Sequence, residues 1–391
     1  MPEPISVAIL GSFPPLRGIS AYCFELTNAI AAHVPVDFIS FKHIYPEFLY
    51  PGGCQEDDSF PETVHNNLNI RRHLSWYNPI SWIQEGLLTQ ADLLHAQWWS
   101  MPLAPIYAIV CLAFKIRRKP VIFTVHNVSG HEGSHIFETV SRILFKLGDH
   151  FIVHTEANRT ALTTQYGIES SKVSVIPHGS LDFQVSRHTD RATIRQEMGL
   201  TASQKVILFF GAIRPYKGLA TAIRAMADVV KVVPEACLLI AGKLWGPWDT
   251  YQKLIDELQL SNHVKTHLDY IPSEDVHRYF CVADLTVLPY LHFDSQSGVG
   301  STAVAFRTPM IVSAVGGLPE LVKNNRWVVP PGDSQVLAQT MSDCLSNPEE
   351  LEKMVQQLDS VSSELDWRNI AGLTFRLYGD LINIKSSALS F

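Results

Sequence analysis

The sequence lacks several features that mark common classes of protein. Its 31 Lys and Arg residues stand against 38 Asp and Glu residues, so the formal net charge is −7 and no excess of positive charge points to nucleic acid. The six cysteines stand far apart without a Cys-x-x-Cys pair, which excludes the common zinc spacings and favours a reducing cytosol. No basic stretch precedes the short apolar run Ile5–Leu10, so we expect no signal peptide.

The sequence also predicts no membrane-spanning helix. The apolar run Met101–Phe114 has 14 residues and contains two prolines, whereas a spanning helix needs about 20 residues. Hydrophobic residues make up 46% of the chain and charged residues 18%, which excludes a disordered or fibrous protein. At about 100–200 residues per domain, the 391 residues predict two globular domains in a cytoplasmic protein.

Short apolar strands alternate with helices along the chain. A strand at Ser6–Leu10 is followed by the loop Gly11–Gly18 and by a helix that Ser20 caps, and the same order begins again at Val206. This alternation predicts an α/β protein with two Rossmann-like, doubly wound domains, whose ligands bind beyond the carboxyl ends of the strands. Residues 43–90 show no clear period. We expect domains at residues 1–185 and 186–366, followed by a C-terminal segment at 367–391.

The loop Gly211–Gly218, with the sequence Gly-Ala-Ile-Arg-Pro-Tyr-Lys-Gly, connects a predicted strand to a predicted helix. It is not a Walker A loop, because Lys217 precedes a glycine instead of following one. Arg214 and Lys217 stand beside a helix N-terminus at the carboxyl end of a strand, where two cations and the helix dipole favour a diphosphate. The structural alternative is two solvated charges in a surface loop.

A second loop, Asp294–Thr302, follows another predicted strand. Gly298 permits close approach of a ligand to the backbone, and Asp294 and Thr302 can face the same ligand. The structural alternative is a simple strand-to-helix connection with Ser297 as the helix N-cap, which does not exclude binding.

The first domain offers fewer candidate residues. Its loop Gly11–Gly18 lacks the Gly-x-Gly-x-x-Gly order of a dinucleotide fold, which argues against NAD or FAD, but Gly18 suits an anion or a sugar beside a helix. His126 ends a predicted strand, where functional groups gather, although a lone histidine is more often structural there. Together with His131 and Glu132 it does not form the His-Glu-x-x-His spacing, so we expect no metal.

A basic cluster directly follows the apolar run that ends at Phe114. Its members are Lys115, Arg117, Arg118 and Lys119. Cations at the end of a helix oppose the helix dipole, and this structural interpretation is the favoured one. The alternative is a patch that contacts anionic lipid, at about 1 kcal/mol per charge near a membrane surface.

Taken in order, these segments resemble the retaining "group 1" glycosyltransferases of family 4 type, which have the GT-B fold. The matching segments are Gly18, Thr-Val-His-Asn at 124–127, Ile-Pro-His-Gly at 176–179, Arg214-x-x-Lys217-Gly218, Thr308-Pro309 and Val315-Gly-Gly-Leu-Pro-Glu320. They keep the family's order from Gly11 to about Trp367, and the ordered set is far more specific than any single member.

The resemblance implies two Rossmann-like domains facing across a cleft. The N-terminal domain would bind the acceptor and the C-terminal domain a nucleotide sugar, while the helix at 367–391 would cross back to the N-terminal domain. The implied activity is retaining transfer of a hexosyl unit from a UDP- or GDP-sugar to a glycan, lipid-linked or small-molecule acceptor. Such a bacterial-type enzyme builds a glycoconjugate or polysaccharide, in the cytoplasm or at the inner face of the membrane.

Family roles transfer to individual positions of this chain. The family's Glu-x7-Glu motif falls on Asp294 and Thr302, so the carboxylate for donor-sugar hydroxyls is kept as Asp, while a threonine replaces the carboxylate that usually binds ribose. The resemblance implies His126 and Asp294 as catalytic residues, and Gly18, Arg214, Lys217, Gly298, Val299 and Thr302 as donor-binding residues.

The chain has no Asp-x-Asp motif, so a metal-independent mechanism is expected, with no cofactor besides the donor substrate. No carboxylate stands out as a covalent nucleophile, and the resemblance therefore implies front-face retention. Two other enzymatic readings are a GT-B nucleotide-sugar epimerase and an inverting transferase. Thr302 motivates a further alternative, a non-catalytic nucleotide-sugar binder.

Overall fold

The computed structural model describes residues 5–16, 18–44, 46, 65–128, 135–181, 190–294 and 296–388. It divides the chain into two compact units, of which one comprises residues 1–179 and 366–391 and the other residues 180–365. The domain limits expected from the sequence, at residues 186 and 367, lie close to these divisions at residues 180 and 366.

The first unit is built on a seven-stranded parallel sheet. Its strands are β1 (Val7–Leu10), β2 (Val36–His43), β3 (Leu68–Ser75), β4 (Leu93–Trp98), β5 (Val121–Val125), β6 (His150–Val153) and β7 (Val173–Val175). They lie in the order β3-β2-β1-β4-β5-β6-β7. The helices between them are α1 (Ser20–Ala31), α2 (Pro79–Leu88), α3 (Ala104–Ile116), α4 (His135–Phe145) and α5 (Glu156–Tyr166).

The second unit repeats this plan with six parallel strands. They are β8 (Lys205–Phe210), β9 (Ala236–Ala241), β10 (Val264–His267), β11 (Leu285–Leu288), β12 (Met310–Ser313) and β13 (Val328–Val329), in the order β10-β9-β8-β11-β12-β13. The helices are α6 (Arg191–Glu197), α7 (Leu219–Val232), α8 (Asp249–Glu257), α9 (Val276–Val282), α10 (Gly298–Ala305), α11 (Leu318–Val322), α12 (Ser334–Ser346) and α13 (Pro348–Glu364).

Helices cover both faces of the first sheet, which explains why its central strands β1, β4 and β5 are buried throughout. Val7 and Ile9 of β1 face a core shared with α1, whereas Ala8 and Leu10 face the core shared with α3. The last helix, α14 (Trp367–Ala388), packs against α1 in the first unit. The C-terminal segment therefore returns to the N-terminal half of the chain.

Two elements lie where the sequence shows no clear period. Strand β3 is at the edge of the sheet and carries mainly polar residues, so it lacks the apolar run of a buried parallel strand. Helix α2 begins after Asn78, whose side chain accepts a hydrogen bond from the Ile80 N–H.

The N-cap expected for α1 is wrong. Ser20 is the first helical residue, and the N-cap position is occupied by Ile19, which makes no side-chain cap bond.

Within the described ranges, no helix is both long enough and apolar enough to cross a membrane.

Candidate functional site

The second sheet reverses its winding direction between β8 and β11. These strands are neighbours in the sheet, and the crevice beyond their carboxyl ends is where ligands of doubly wound sheets bind. The loop Gly211–Gly218 follows β8, and the segment that leads to α10 follows β11. The two loops touch at Gly218, where an added Cβ would lie 1.9 Å from the Pro289 carbonyl oxygen. Gly218 also has a φ of +72°, so this contact requires glycine.

Lys217 is buried in this crevice, with only 7% of its surface exposed. Its ammonium lies 5.4 Å from the centre of the Tyr290 ring. An added Cβ on Gly211 would lie 3.0 Å from both Lys217 Nζ and Val299 Cγ2, so the lysine and the first turn of α10 meet over the same glycine. Burial, together with the charge of Arg214, lowers the pKa of Lys217 to about 8. The interpretation as a solvated loop charge is therefore wrong for Lys217.

Arg214 is held by an aromatic ring in place of a carboxylate. Its guanidinium carbon lies 4.2 Å from the centre of the Trp245 ring, and its buried Nε has no hydrogen-bond partner. The loops that carry the two side chains are joined by backbone bonds, since the Trp245 N–H donates to the Ile213 carbonyl at 3.0 Å. Among the described residues, no carboxylate forms an ion pair with Arg214 or Lys217. Neither cation is therefore neutralised by a carboxylate of the part of the chain that the structure describes.

Helix α10 brings its N-terminus to the same crevice. Ser297 is its N-cap and accepts a hydrogen bond from the Gly300 N–H at 3.3 Å, so the predicted cap is confirmed. The Ser297 hydroxyl also lies 3.3 Å from the Tyr290 hydroxyl. The first N–H groups of a helix have no partner within it, and the helix dipole places partial positive charge beside Val299 and Lys217.

Asp294 and Thr302 differ sharply in environment. Asp294 is exposed in the loop before α10, whereas Thr302 is only 3% exposed. The Thr302 hydroxyl donates to the Gly298 carbonyl at 2.9 Å, so toward a ligand it can only accept. The binding roles of both residues stay predictions.

In the first unit, three histidines follow three neighbouring strands: His126 after β5, His154 after β6 and His178 after β7. The ring centres of His126 and His154 are 5.0 Å apart, and those of His154 and His178 are 5.3 Å apart. Tyr22 of α1 packs against all three rings. Burial lowers the pKa of His126 well below its ordinary value, that of His154 to about 3 and that of His178 to about 4. All three rings are therefore neutral at neutral pH.

Both ring nitrogens of His126 have partners. Nε2 lies 3.0 Å from the side-chain amide of Gln97, and Nδ1 lies 3.2 Å from Nε2 of His154. His131 and Glu132, which with His126 do not form the His-Glu-x-x-His spacing, lie outside the described residues. In the part of the chain that the structure describes, no cluster of three or more His, Cys, Asp or Glu side chains is arranged to hold a metal ion.

Gly18 lies beside the point where the first sheet reverses its winding, between β1 and β4. Its φ of +100° suits only glycine, and an added Cβ would lie 3.7 Å from Trp99 Nε1 and 3.9 Å from Ser12 Oγ. The backbone here is exposed, so an anion or sugar can approach it closely.

The basic cluster after α3 is largely structural, as the favoured interpretation predicted. Lys115 pairs with Asp149 at 2.8 Å, and Lys119 pairs with Asp92 at 2.9 Å. Arg117 donates to the carbonyl oxygens of Gly86 and Thr89.

Sequence reasoning missed the groups that hold the site residues in place. Trp245 and Tyr290 could not be assigned because their contacts with Arg214 and Lys217 join separate loops. His154 carried a usable signal, since it ends a predicted buried strand, Phe151–His154, just as His126 ends another.

Two family models together match most of the chain. The model described as Glycosyltransferase Family 4 matches residues 16–180, and the model described as Glycosyl transferases group 1 matches residues 190–359.

Curated relatives carry the name D-inositol 3-phosphate glycosyltransferase. The protein from Segniliparus rotundus is 30% identical over 217 residues, which cover 52% of this chain and 47% of that protein. The protein from Corynebacterium efficiens is 26% identical over 308 residues, which cover 74% of this chain and 71% of that protein. The match thus spans about half of the first relative and more than two thirds of the second.

Solved structures share the fold over nearly the whole chain. Anabaena Alr3699/HepE, solved in complex with UDP and glucose, matches with a TM-score of 0.73 and 18% identity over 96% of this chain and 100% of that one. Sucrose-phosphate synthase from Thermosynechococcus elongatus matches with a TM-score of 0.73 and 19% identity over 97% of this chain and 100% of that one. The predicted architecture of two Rossmann-like domains is confirmed.

Proposed function

We infer the activity of this chain from its family: it belongs to the group 1 glycosyltransferases of family 4 type, with the GT-B fold. We propose that it transfers a hexosyl unit from a UDP- or GDP-sugar to a glycan, lipid-linked or small-molecule acceptor. The transfer retains the anomeric configuration and needs no metal. In this proposal the second unit binds the donor and the first unit binds the acceptor.

The observation that carries the proposal is the pair of unneutralised cations at the switch point of the second sheet. Arg214, Lys217 and the N-terminus of α10 converge there without a carboxylate ion-pair partner for either cation in the described ranges. Transfer from a nucleotide sugar develops negative charge on the leaving diphosphate. Preorganised donors at such a position are each worth about 3–4 kcal/mol of transition-state stabilisation. A metal ion is then not required to neutralise the leaving group.

The remaining site residues take the roles that this chemistry requires. Asp294 would accept hydrogen bonds from donor-sugar hydroxyls, and Gly298, Val299 and Thr302 would contact the nucleotide. His126 would act at the reaction centre as a neutral hydrogen-bonding group, because burial lowers its pKa well below its ordinary value. It is thus unsuited to act as a charged general acid.

The test is a panel of UDP-, GDP- and ADP-sugars in EDTA, with acceptors that include an inositol phosphate. We expect turnover with one donor class and an α-linked product from an α-linked donor, read by NMR of the anomeric proton. An inverted anomeric centre would contradict retention, and C2 inversion of the free donor would identify an epimerase. Donor binding without turnover would identify a non-catalytic binder.

We also propose that the first unit contacts a membrane surface through the outer faces of α2 and α3. Large apolar side chains are exposed there: Ile80, Ile83, Leu87 and Leu88 on α2, and Leu112 and Ile116 on α3. The two helices pack closely, since an added Cβ on Gly86 would lie 2.7 Å from Ala113 Cβ. The cation Arg118 is exposed beside this face. Glu85 of α2 is buried in a pair with Arg71, so it adds no exposed negative charge to the face.

Sedimentation with vesicles tests this surface contact. Because most cations of the basic cluster are already paired, we expect binding to depend mainly on the apolar face and only modestly on anionic lipid. The double variant Ile83→Glu/Ile116→Glu should lose vesicle binding. The matched control is Val232→Glu, an exposed apolar residue of the second unit. Equal binding by the double variant and the wild type would refute the contact.

A further inference from the structure

A chain of buried hydrogen bonds crosses the first sheet and passes through His126. At one end, Tyr378 Oη lies 2.6 Å from His95 Nδ1, and His95 Nε2 lies 3.2 Å from the Gln97 amide nitrogen. The other side of the same amide, Oε1, lies 3.0 Å from His126 Nε2. His126 Nδ1 in turn lies 3.2 Å from His154 Nε2, and His154 Nδ1 ends the chain 3.0 Å from the Ile176 carbonyl oxygen. His95 Nε2 also lies 2.6 Å from Thr124 Oγ1. Tyr378 belongs to α14, so the C-terminal helix takes part in the chain.

The backbone end of this chain fixes the position of each proton. A carbonyl oxygen only accepts, so His154 donates to Ile176 from a protonated Nδ1. A neutral imidazole carries one proton, and burial lowers the pKa of His154 to about 3. Nε2 of His154 is therefore an acceptor, and Nδ1 of His126 must donate to it. His126 then has its only proton on Nδ1 and a lone pair on Nε2.

The Gln97 amide has one orientation that agrees with this proton count. The lone pair of His126 Nε2 needs a donor, so a neutral His126 requires the NH2 group of Gln97 to face it. The amide oxygen then faces His95, whose Nε2–H donates to it, and the Tyr378 hydroxyl donates to His95 Nδ1. This is the reverse of the orientation described above, in which Oε1 faces His126 and the amide nitrogen faces His95. That orientation would need a second proton on the His126 ring, so we assign the amide the reversed one.

We propose that His154 is a positioning residue that fixes His126 as the tautomer protonated on Nδ1. The contact comes from the fold itself, because the two histidines occupy the same position after the neighbouring parallel strands β5 and β6. An isolated imidazole has no such constraint and can carry its proton on either nitrogen. With His154 present, Nε2 of His126 is a hydrogen-bond acceptor at neutral pH.

This tautomer has a consequence for binding, which rests on the proposed function. Any donor-sugar or acceptor hydroxyl that meets His126 Nε2 must donate its proton to it. Because the Gln97 amide occupies that position in the structure, such a hydroxyl must also replace the amide. His126 thus favours a hydroxyl over a pure acceptor, such as a ring or phosphate oxygen.

Long-range 1H–15N NMR of histidine-labelled protein at neutral pH tests the proposal without any substrate. The His126→Gln variant identifies the His126 signals. We expect a protonated Nδ1 and an unprotonated Nε2 in the wild type, and a shift toward the Nε2-protonated tautomer in His154→Ala. His154→Gln should keep the wild-type tautomer, because its amide supplies one donor toward Ile176 and one acceptor toward His126.

The matched control is His150→Ala. His150 is also buried in β6 but bonds to Ser174 Oγ at 2.9 Å, outside the chain. Its loss should leave the His126 signals unchanged. In kinetics, His154→Ala should lower kcat by up to about a hundredfold with nucleotide affinity unchanged, and His154→Gln should recover part of this loss.

Two NMR results would overturn the proposal: a proton on Nε2 of His126 in the wild type, or a His126 tautomer that does not respond to His154→Ala. The proposed function fails separately. If the wild type transfers no sugar while the tautomer shifts as expected, the positioning role stands and the assigned activity does not.

Discussion

At the residue scale, the proposed chemistry of the second unit depends on Lys217, which is buried and has no carboxylate partner among the described residues. Burying an ammonium without a carboxylate lowers the stability of the folded protein, and the cost is recovered only when an anion binds. The same loss of hydration on burial lowers the pKa of Lys217 to about 8. Such destabilising groups are common at functional sites, where a residue that activity needs can lower the stability of the fold.

Lys217→Met should therefore stabilise the protein while it disables the site. The thioether side chain keeps the volume and removes the buried charge, so we expect a gain of about 1 kcal/mol, or about 2–4 °C in Tm for a unit of this size. The cost in the wild type is present while Lys217 is charged, so the difference in Tm should shrink as the pH rises above about 8. Calorimetry at a series of pH values measures it. A lower Tm in Lys217→Met would contradict this account.

Nucleoside diphosphate affinity should depend on pH through the same residue. A bound diphosphate favours the charged lysine and raises its pKa, so affinity should be constant up to about pH 8 and fall above it, with proton uptake on binding near that pH. Titration of UDP between about pH 7 and pH 9.5 avoids the phosphate pKa of about 6. Lys217→Met should bind UDP weakly, and its affinity should not fall above about pH 8. If the affinity of both proteins fell equally with pH, a group other than Lys217 would be the one that titrates.

At the element scale, the loops after β8 and β9 act as one support for Arg214. Their backbones continue the pairing of the two strands, because the Ile213 N–H donates to the Lys243 carbonyl at 2.8 Å and the Trp245 N–H returns a bond to Ile213. The tryptophan thereby stands beside the guanidinium. The sequence predicted the cationic loop after an apolar strand, but the pairing of Ile213 with Leu244, 31 residues further along the chain, has no local signal.

Trp245→Leu should weaken binding of inorganic pyrophosphate and of UDP alike. A cation–π contact of about 0.5–2 kcal/mol corresponds to a loss of roughly twofold to thirtyfold in affinity. Trp248→Leu is the matched control, because Trp248 packs on Tyr251 and donates to the Gln252 side chain. In a double-mutant cycle with Arg214→Met, the two losses should not add. Additive losses would mean that Trp245 acts on the ligand directly.

At the scale of the whole molecule, the sequence predicted the two sheets because buried parallel strands are mainly apolar. The polar edge strand β3 and helix α2, whose apolar side chains face outward, lack that pattern and were not predicted. From the residues alone, Arg214 and Lys217 were placed beside the helix that follows their own loop, and only the resemblance assigned them and the α10 segment to one donor site. The structure brings them together because β8 and β11 are neighbours whose carboxyl ends share one crevice. The burial of Lys217 and the histidine chain depend on packing between distant segments, which composition and periodicity do not record.

The central claim is that Arg214 and Lys217 bind a diphosphate without a metal. Isothermal titration with UDP and GDP in EDTA tests it most directly, comparing the wild type with Arg214→Met/Lys217→Met and with Lys231→Met, an exposed lysine of α7 paired with Asp228. We predict binding in chelator by the wild type and by Lys231→Met, and a loss of at least about a hundredfold in the double variant. Binding that requires added magnesium or manganese, or a double variant that binds like the wild type, would contradict the account.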